Sequence, residues 1–328
     1  MGYKNMTRTL AGLSAIGILA VGCADNEGDG GDFPTDTIEI IVPFSAGGAA
    51  DTNARAFAEA WQQVNDSEMV VINRPGGGTA IGANEVLSSE ADGHTLFFSS
   101  GSTHISLPLM EDVDWETDDW RSIVSFGDLP ITVLASADSG WETLDDVPMD
   151  SELQVPTTAP GNVLHLIVSN FVEEAGGTSN YIPFDASNET IQQVIDGNAD
   201  IVAADAGLAL PRIESGELVP LAVATSERLD FLPEVPTMEE AGYENSHDRY
   251  SRHALSVPAD TPKEAVDVIK AGWDEASETE VWDDFLTATY MQEPGYEAEA
   301  YIEEFVPNEL EWTRESFEAA GVDPNDSE

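Results

Sequence analysis

Cations are what this sequence lacks. Its 328 residues hold 12 Lys and Arg against 63 Asp and Glu, a formal net charge of -51. With no basic stripe to displace counterions, nucleic acid is excluded as a general partner, and so is docking on anionic lipid through a polybasic patch. Only three lysines occur, and neither Lys263 nor Lys270 follows a glycine-rich loop, which excludes a P-loop nucleotide site. Cys23 is the single cysteine. Intramolecular disulfides, a CxxC redox pair and a thiolate zinc site are therefore ruled out. The five histidines, His94, His104, His165, His247 and His253, have no HExxH or comparable spacing, so neither a metal nor a cofactor is expected. After residue 23 no apolar run reaches the ~20 residues that span a bilayer.

The acids that are present are interspersed with apolar positions, as in Trp273 to Trp282, and read as solvated faces of folded helices. At low ionic strength so much like charge repels itself, whereas in molar salt the Debye length shrinks to roughly 3 Å. The composition is read as adaptation to a hypersaline medium.

Lys4 and Arg8 precede an apolar run from Leu10 to Val21, which suits the core of an export signal over residues 1–22. Small residues then lead to Cys23, in the manner of a lipoprotein processing box, although Leu19 stands four places before the cysteine, where the usual pattern has three. Cys23 is thus the expected lipidation site. Residues 23–36, rich in Gly and Asp, are expected to form a flexible tether that holds a soluble body at the outer face of the cell membrane.

Beyond the tether, short β-rich runs alternate with helical patterns, the signature of an α/β fold with parallel strands. Strands at Thr37–Val42, Met69–Ile72 and Thr95–Ser99, with helices at Asp51–Val64 and Ala80–Ser88, make a βαβαβ unit. A second set has strands near Ile131–Ala135, Gln154–Thr157, Asn180–Pro183, Asp200–Ala204 and Val219–Ala224. Helices near Val163–Glu174, Glu189–Asp196 and Leu208–Glu214 lie between them, two closed by Gly197 and Gly216. Ala254–Val257 is a strand, and Thr261 to Glu264 reads as a capping box with Pro262 at the first helical position. Acidic helices follow near Val281–Ala288 and Ala298–Ala320, the last closed by Gly321. The expectation is two lobes, 37–135 with 250–328 and 136–249, with a ligand cleft between them.

Three loops at strand-to-helix junctions are rich in donors and poor in side chains. In the first, Phe44, Ser45, Ala46, Gly47 and Gly48 lead to Asp51, and the N–H groups of Ala46, Gly47 and Gly48, with the positive end of the following helix, suit a carboxylate. A simple tight turn with Asp51 as N-cap fits the same residues. Ser100, Ser102 and Thr103 form the second loop, and Thr158 and Asn162 belong to the third. Neutral dipoles are thus the expected anion-binding device.

The segments IEIIVPFSAGGAAD (38–51), VVINRPGGGTAIGANEV (70–86), DGHTLFFSSGSTH (92–104), PGNVLHL (160–166), IPFDASNETIQQVIDGNADIVAAD (182–205), ELVPLAVATSERLDFLPEVPTMEEAGY (217–243) and VPADTP (257–262) together make the chain resemble the extracytoplasmic receptors of tripartite tricarboxylate transporters. They extend over nearly the whole mature chain in family order. The resemblance implies a two-lobe, type II periplasmic-binding-protein-like fold that closes on a di- or tricarboxylate and hands it to the membrane permease subunits. It also implies that Asp205 faces the cleft. Where the family commonly has a lysine after a Pro-Tyr pair, this chain has Pro183, Phe184, Asp185 and Ala186, which removes a cation near the cleft. A monomeric receptor without catalysis is expected. The alternatives are a binding protein of the same fold that signals to a membrane partner, and a serine hydrolase using Ser102 with His104 or His165.

Overall fold

A computed structural model of the chain describes residues 33–292 and 294–319. The export segment, Cys23, most of the tether and Gly321 lie outside the described residues. Residues 33–36, the end of the expected tether, are held against the body. The Phe33 ring packs 4.8 Å from that of His94, whose Nε2 accepts the N–H groups of Thr35 and Asp36.

The first half of the fold follows from three short apolar runs. In β1 (Ile38–Val42), Ile38, Ile40 and Val42 face one layer and Ile41 the other, as strand alternation requires. Helix α1 (Ala49–Val64) buries Ala54, Phe57, Ala58 and Trp61 on that first face. Then follow β2 (Met69–Asn73), α2 (Ala80–Leu87) and β3 (Thr95–Ser100), with β2 and β3 parallel to β1 on either side. A wide π-helical turn, Ser102–Ser106, and the short α3 (Leu107–Met110) complete this half's second layer.

The long strand β4 (Trp120–Ser136) departs most from the sequence expectation, which finds only its last third. Two bulges interrupt the pairing of its first part with residues 250–258, between Ser122 and Val124 and between Ser125 and Gly127, and Gly127 has φ +130°. Each bulge moves the alternation by one residue, so no period-2 pattern survives in Trp120 to Pro130.

The second half contains β5 (Glu152–Thr157), α4 (Val163–Glu174), β6 (Thr178–Pro183), α5 (Ser187–Ile195), β7 (Ile201–Asp205), α6 (Ala206–Glu214) and β8 (Leu218–Val223). Gly197 and Gly216 follow helix ends with φ +70° and +77°, as expected of left-handed terminators. The chain returns through β9 (Tyr250–Pro258) and ends in α7 (Lys263–Ala276), α8 (Glu280–Thr289) and α9 (Val306–Ala319). The main sheet runs β2-β1-β3-β9-β4-β7, with β8 also on β4. Pairs involving β4 or β9 are antiparallel, so the sheet is mixed rather than purely parallel. β4 changes partner at Pro130/Ile131, from β9 to β7 and β8, and so links the halves.

The capping box expected at Thr261 does not form. Thr261 is 2% exposed with its hydroxyl unpartnered among the described residues, and Pro262, at φ -55° and ψ 137°, is itself the N-cap. The Thr261 N–H donates to the Pro258 carbonyl, which draws Thr261 into a turn off β9 and takes its side chain out of capping position.

Candidate ligand-binding cleft

A partly open cleft lies where the loops of both halves converge. The first half contributes Phe44 and Gly48 to Ala50 from the β1–α1 junction, and Ser100, Ser102 and Ser106 from the end of β3 and the π-turn. The second half contributes Thr158 and Asn162 before α4, Ala186 and Ser187 at the start of α5, and Asp205 at the end of β7. Tyr250 to His253 of β9 line it as well, and α9 closes one side with Glu309, Trp312 and Thr313.

The β1–α1 loop forms a nest, two residues later than the sequence places it. Gly48, not Asp51, is the N-cap of α1; Asp51 stands in the first turn and reaches back, its Oδ2 accepting the Gly47 N–H at 2.9 Å. Arg55 clamps the same carboxylate, with Nη2 2.8 Å from Oδ1. Burial opposes ionisation of Asp51, but these contacts outweigh it and hold the carboxyl below its usual range. The Ser45 N–H is also taken, by the Asp185 carbonyl of the opposite rim at 3.1 Å. Ser45, Ala46, Gly47 and Asp51 therefore shape the loop without lining the cavity. Available instead are the N–H groups of Gly48, Ala49 and Ala50, which have no partner among the described residues and sit at the positive end of a 16-residue helix.

In the second loop, Ser100 is 5% exposed and its Oγ has no partner among the described residues. Ser102 lines the cavity, whereas Thr103 turns away and bonds to Thr79 at 2.9 Å. In the third, Asn162 is spent on structure: its Oδ1 caps α4 by accepting the His165 N–H at 2.8 Å, and its Nδ2 donates to Thr158. Ser106 Oγ donates across the cleft to the Gly161 carbonyl at 2.6 Å. This bond and the Ser45–Asp185 bond join the two rims directly.

Asp205, the N-cap of α6, is 5% exposed; it makes no side-chain cap, and its Oδ1 has no partner among the described residues. Burial pushes its carboxyl up to about 6, against a smaller opposing pull from the Ser251 hydroxyl. Sequence reasoning does not find Arg252, Ser251, Glu309 or Trp312. Arg252 donates to both oxygens of Asp128 at 2.8 and 2.6 Å, and Arg249 lies 2.9 Å from Glu309 with its guanidinium 4.1 Å from the Trp312 ring centroid. The available signals were two arginines close together in a chain that has so few, and the Glu309, Trp312, Thr313 and Ser316 spacing on one helical face.

A Ser102-based nucleophile has no support here. His104 bonds to Ser99 at 2.9 Å, and His165 Nδ1 accepts the Gly161 N–H at 2.8 Å. Burial lowers these histidines to about 3 and about 4, which keeps both rings neutral.

Comparison with known proteins gives concordant findings. The family described as TctC, tripartite tricarboxylate transporter family receptor, matches residues 53–321. Protein BugT of Bordetella pertussis is 33% identical over 254 residues, which cover 73% of this chain and 75% of that protein. Among solved structures, MatC from Rhodopseudomonas palustris with bound malate superposes with a TM-score of 0.79 at 22% identity, covering 87% of this chain and 99% of its own. The periplasmic binding protein BugD gives 0.80 at 24% identity, covering 88% and 99%. The shared architecture is the two-lobed α/β fold of type II periplasmic binding proteins. Among the described residues, no helix is long and apolar enough to cross a membrane.

Proposed function

The chain belongs to the tripartite tricarboxylate transporter receptor family, and from that premise we propose that it captures a small organic carboxylate outside the cytoplasm and delivers it to the membrane subunits of such a transporter. Its family is one of binding receptors, not enzymes. The observation that carries the reading is the nest at the start of α1, where three N–H groups without a partner among the described residues meet a cleft lined by the Ser100 hydroxyl, which likewise has none. Excluded from bulk water, neutral donors of this kind hold a carboxylate without a cationic side chain.

Residues 37–135 with 250–328, and residues 136–249, act as the two lobes, joined through β4, whose last residues already pair with β7 and β8. Cys23 carries the lipid that retains the receptor at the membrane. The medium is saline: eight of the twelve basic residues form ion pairs among the described residues, which leaves most of the 63 acids without a cation and dependent on salt for screening.

A thermal-shift and calorimetry panel of carboxylic acids in multi-molar KCl tests the receptor reading. Saturable binding of at least one member, with a raised melting temperature and no turnover, is expected. A folded protein that binds no carboxylate sinks it. For the anchor, Cys23→Ser is expected to move the protein from the membrane fraction to the medium.

A further inference from the structure

We propose that Gly207, outside the cleft, is a positioning residue for ligand capture: its missing side chain admits the last turn of α8 onto the first turn of α6, and this joint sets how the two lobes meet when closed. The inference rests on the receptor reading and adds to it a place, away from the ligand, where closure is decided.

Three α-helices, α2, α6 and α7, carry a glycine inside their described spans, although glycine is among the poorest helix formers. Gly82 makes room for Pro43, and Gly272 for the Trp61 ring, both within the first lobe. Gly207 makes room between the lobes. A Cβ there would fall against the Thr289 carbonyl oxygen and lie 2.6 and 2.9 Å from the carbonyl carbon and Cα of the same residue. These are backbone atoms, so no side-chain rotation relieves the overlap. The φ of Gly207 lies outside the left-handed region, so the close approach alone requires a glycine.

The two helices are fixed to different bodies. In the first, Trp282 of α8 packs on the rings of Phe126 and Trp273. In the second, Ala209 of α6 is buried with Leu134, Val202 and Ala204. Beside their backbone contact, Tyr290 stacks on Phe231, which follows β8, with ring centroids 3.8 Å apart. Tyr290 caps α8 at φ +54°, a left-handed conformation that a bulky residue keeps only where its surroundings hold it. Gln292 then exchanges backbone bonds with Asp128 at 2.9 and 3.2 Å, two residues before Pro130, where β4 changes partner. The joint therefore lies beside the strand that connects the lobes, and neither Gly207 nor Thr289 lines the cleft.

Its effect reaches the cleft through position. Asp205, in the cleft wall, caps α6 two residues before Gly207. At the mouth the rims already touch, the Ser45 N–H donating to the Asp185 carbonyl at 3.1 Å and the Ser106 hydroxyl to the Gly161 carbonyl at 2.6 Å. Rims in contact leave no further closing movement, so an overlap forced at the joint is relieved only by movements that lengthen those bonds.

The test is hydrogen exchange, read by mass spectrometry on the empty protein in multi-molar KCl. The Ser45 amide reports closure, because its acceptor belongs to the opposite lobe. In Gly207→Ala, exchange in the Phe44–Gly48 peptide is expected to quicken about 10- to 100-fold, while peptides of β1 and β7 exchange as in wild type. Tyr290→Gly drops the ring and keeps the left-handed backbone without strain. It is expected to quicken the same peptide and, combined with Gly207→Ala, to add little, since both variants break one joint. Acids of the carboxylate panel that bind the wild type are expected to bind Gly207→Ala about tenfold or more weakly, because the closed form is less populated. Unchanged exchange in the loop, exchange quickened equally throughout both lobes, or unchanged affinity overturns the inference and leaves the receptor reading standing. If no panel acid binds the wild type, the receptor reading falls, and exchange in the loop still decides whether the joint sets closure.

Discussion

Asp205→Asn has a consequence for the empty receptor that can be measured without any ligand. The carboxyl moves from its ordinary 3.8 to about 6 on folding, mainly because burial disfavours the charged form. A difference of that size is worth about 3 kcal/mol between the two protonation states. Its sign follows from proton counts. Between pH 4 and 6 the folded protein holds a proton at Asp205 that the unfolded chain has released, so raising the pH costs folded stability in that window. The penalty is absent below about pH 4 and complete above about pH 6. Asparagine fills the same volume without a charge, so the variant is expected to be more stable than wild type by up to about 3 kcal/mol at pH 8, the gap closing on acidification. Urea unfolding at constant multi-molar KCl, at pH 4 and pH 8, measures the gap, and the titration of the other acids is common to both proteins. A variant that is less stable at pH 8, or a gap that does not change with pH, would refute the account of Asp205 as a buried, unpaired acid.

Gly48→Pro removes one nest donor at a residue whose φ of -85° suits proline and whose surroundings leave room for a Cβ. Calorimetry is expected to show carboxylate affinity reduced about 10- to 100-fold with the melting temperature retained. Gly161→Ala places a Cβ 2.3 Å from the Phe317 ring at φ +71°. It is expected to destabilise the fold by about 2–4 kcal/mol in urea melts, and an unchanged midpoint would contradict the packing of α9 on this turn. Dilution of KCl is expected to lower the melting temperature steadily, because the -51 net charge loses its screening. A flat dependence would remove the argument for a saline habitat.

The first half of the fold was readable because its apolar runs are short, regular and bounded by turn residues, so β1, α1, β2, α2 and β3 fall within a residue or two of expectation. The start of β4 was not readable, since its bulges erase the alternation that marks a strand. In the cleft, the loop positions were legible but the fate of individual amides was not. Asp51 looks like an N-cap by residue type, and only the backbone shows it standing inside the helix and reaching back to Gly47. Likewise, Arg252 and Glu309 lie far from the glycine-rich loops in sequence. They reach the cleft because β9 runs beneath it and α9 lies against both α4 and the Ser102–Ser106 turn, and local pattern carries no trace of such long-range closure.

The same crossing contacts bear on release. A receptor that hands over its ligand must part its rims, so every bond between them adds to residence time. Ser106 makes such a bond from a fully packed position, 3% exposed, to a carbonyl on the opposite rim. Ser106→Ala deletes the donor and leaves the Gly161 carbonyl short of a partner, which weakens the closed form by about 0.5–1.5 kcal/mol. Because the bond belongs to closure and not to the ligand, the loss is expected as a roughly 2- to 10-fold faster dissociation in stopped-flow measurements, with little change in association. Were association slowed and dissociation unaltered, Ser106 would be shaping the open entrance, and the rim-to-rim bond would have no part in holding the ligand.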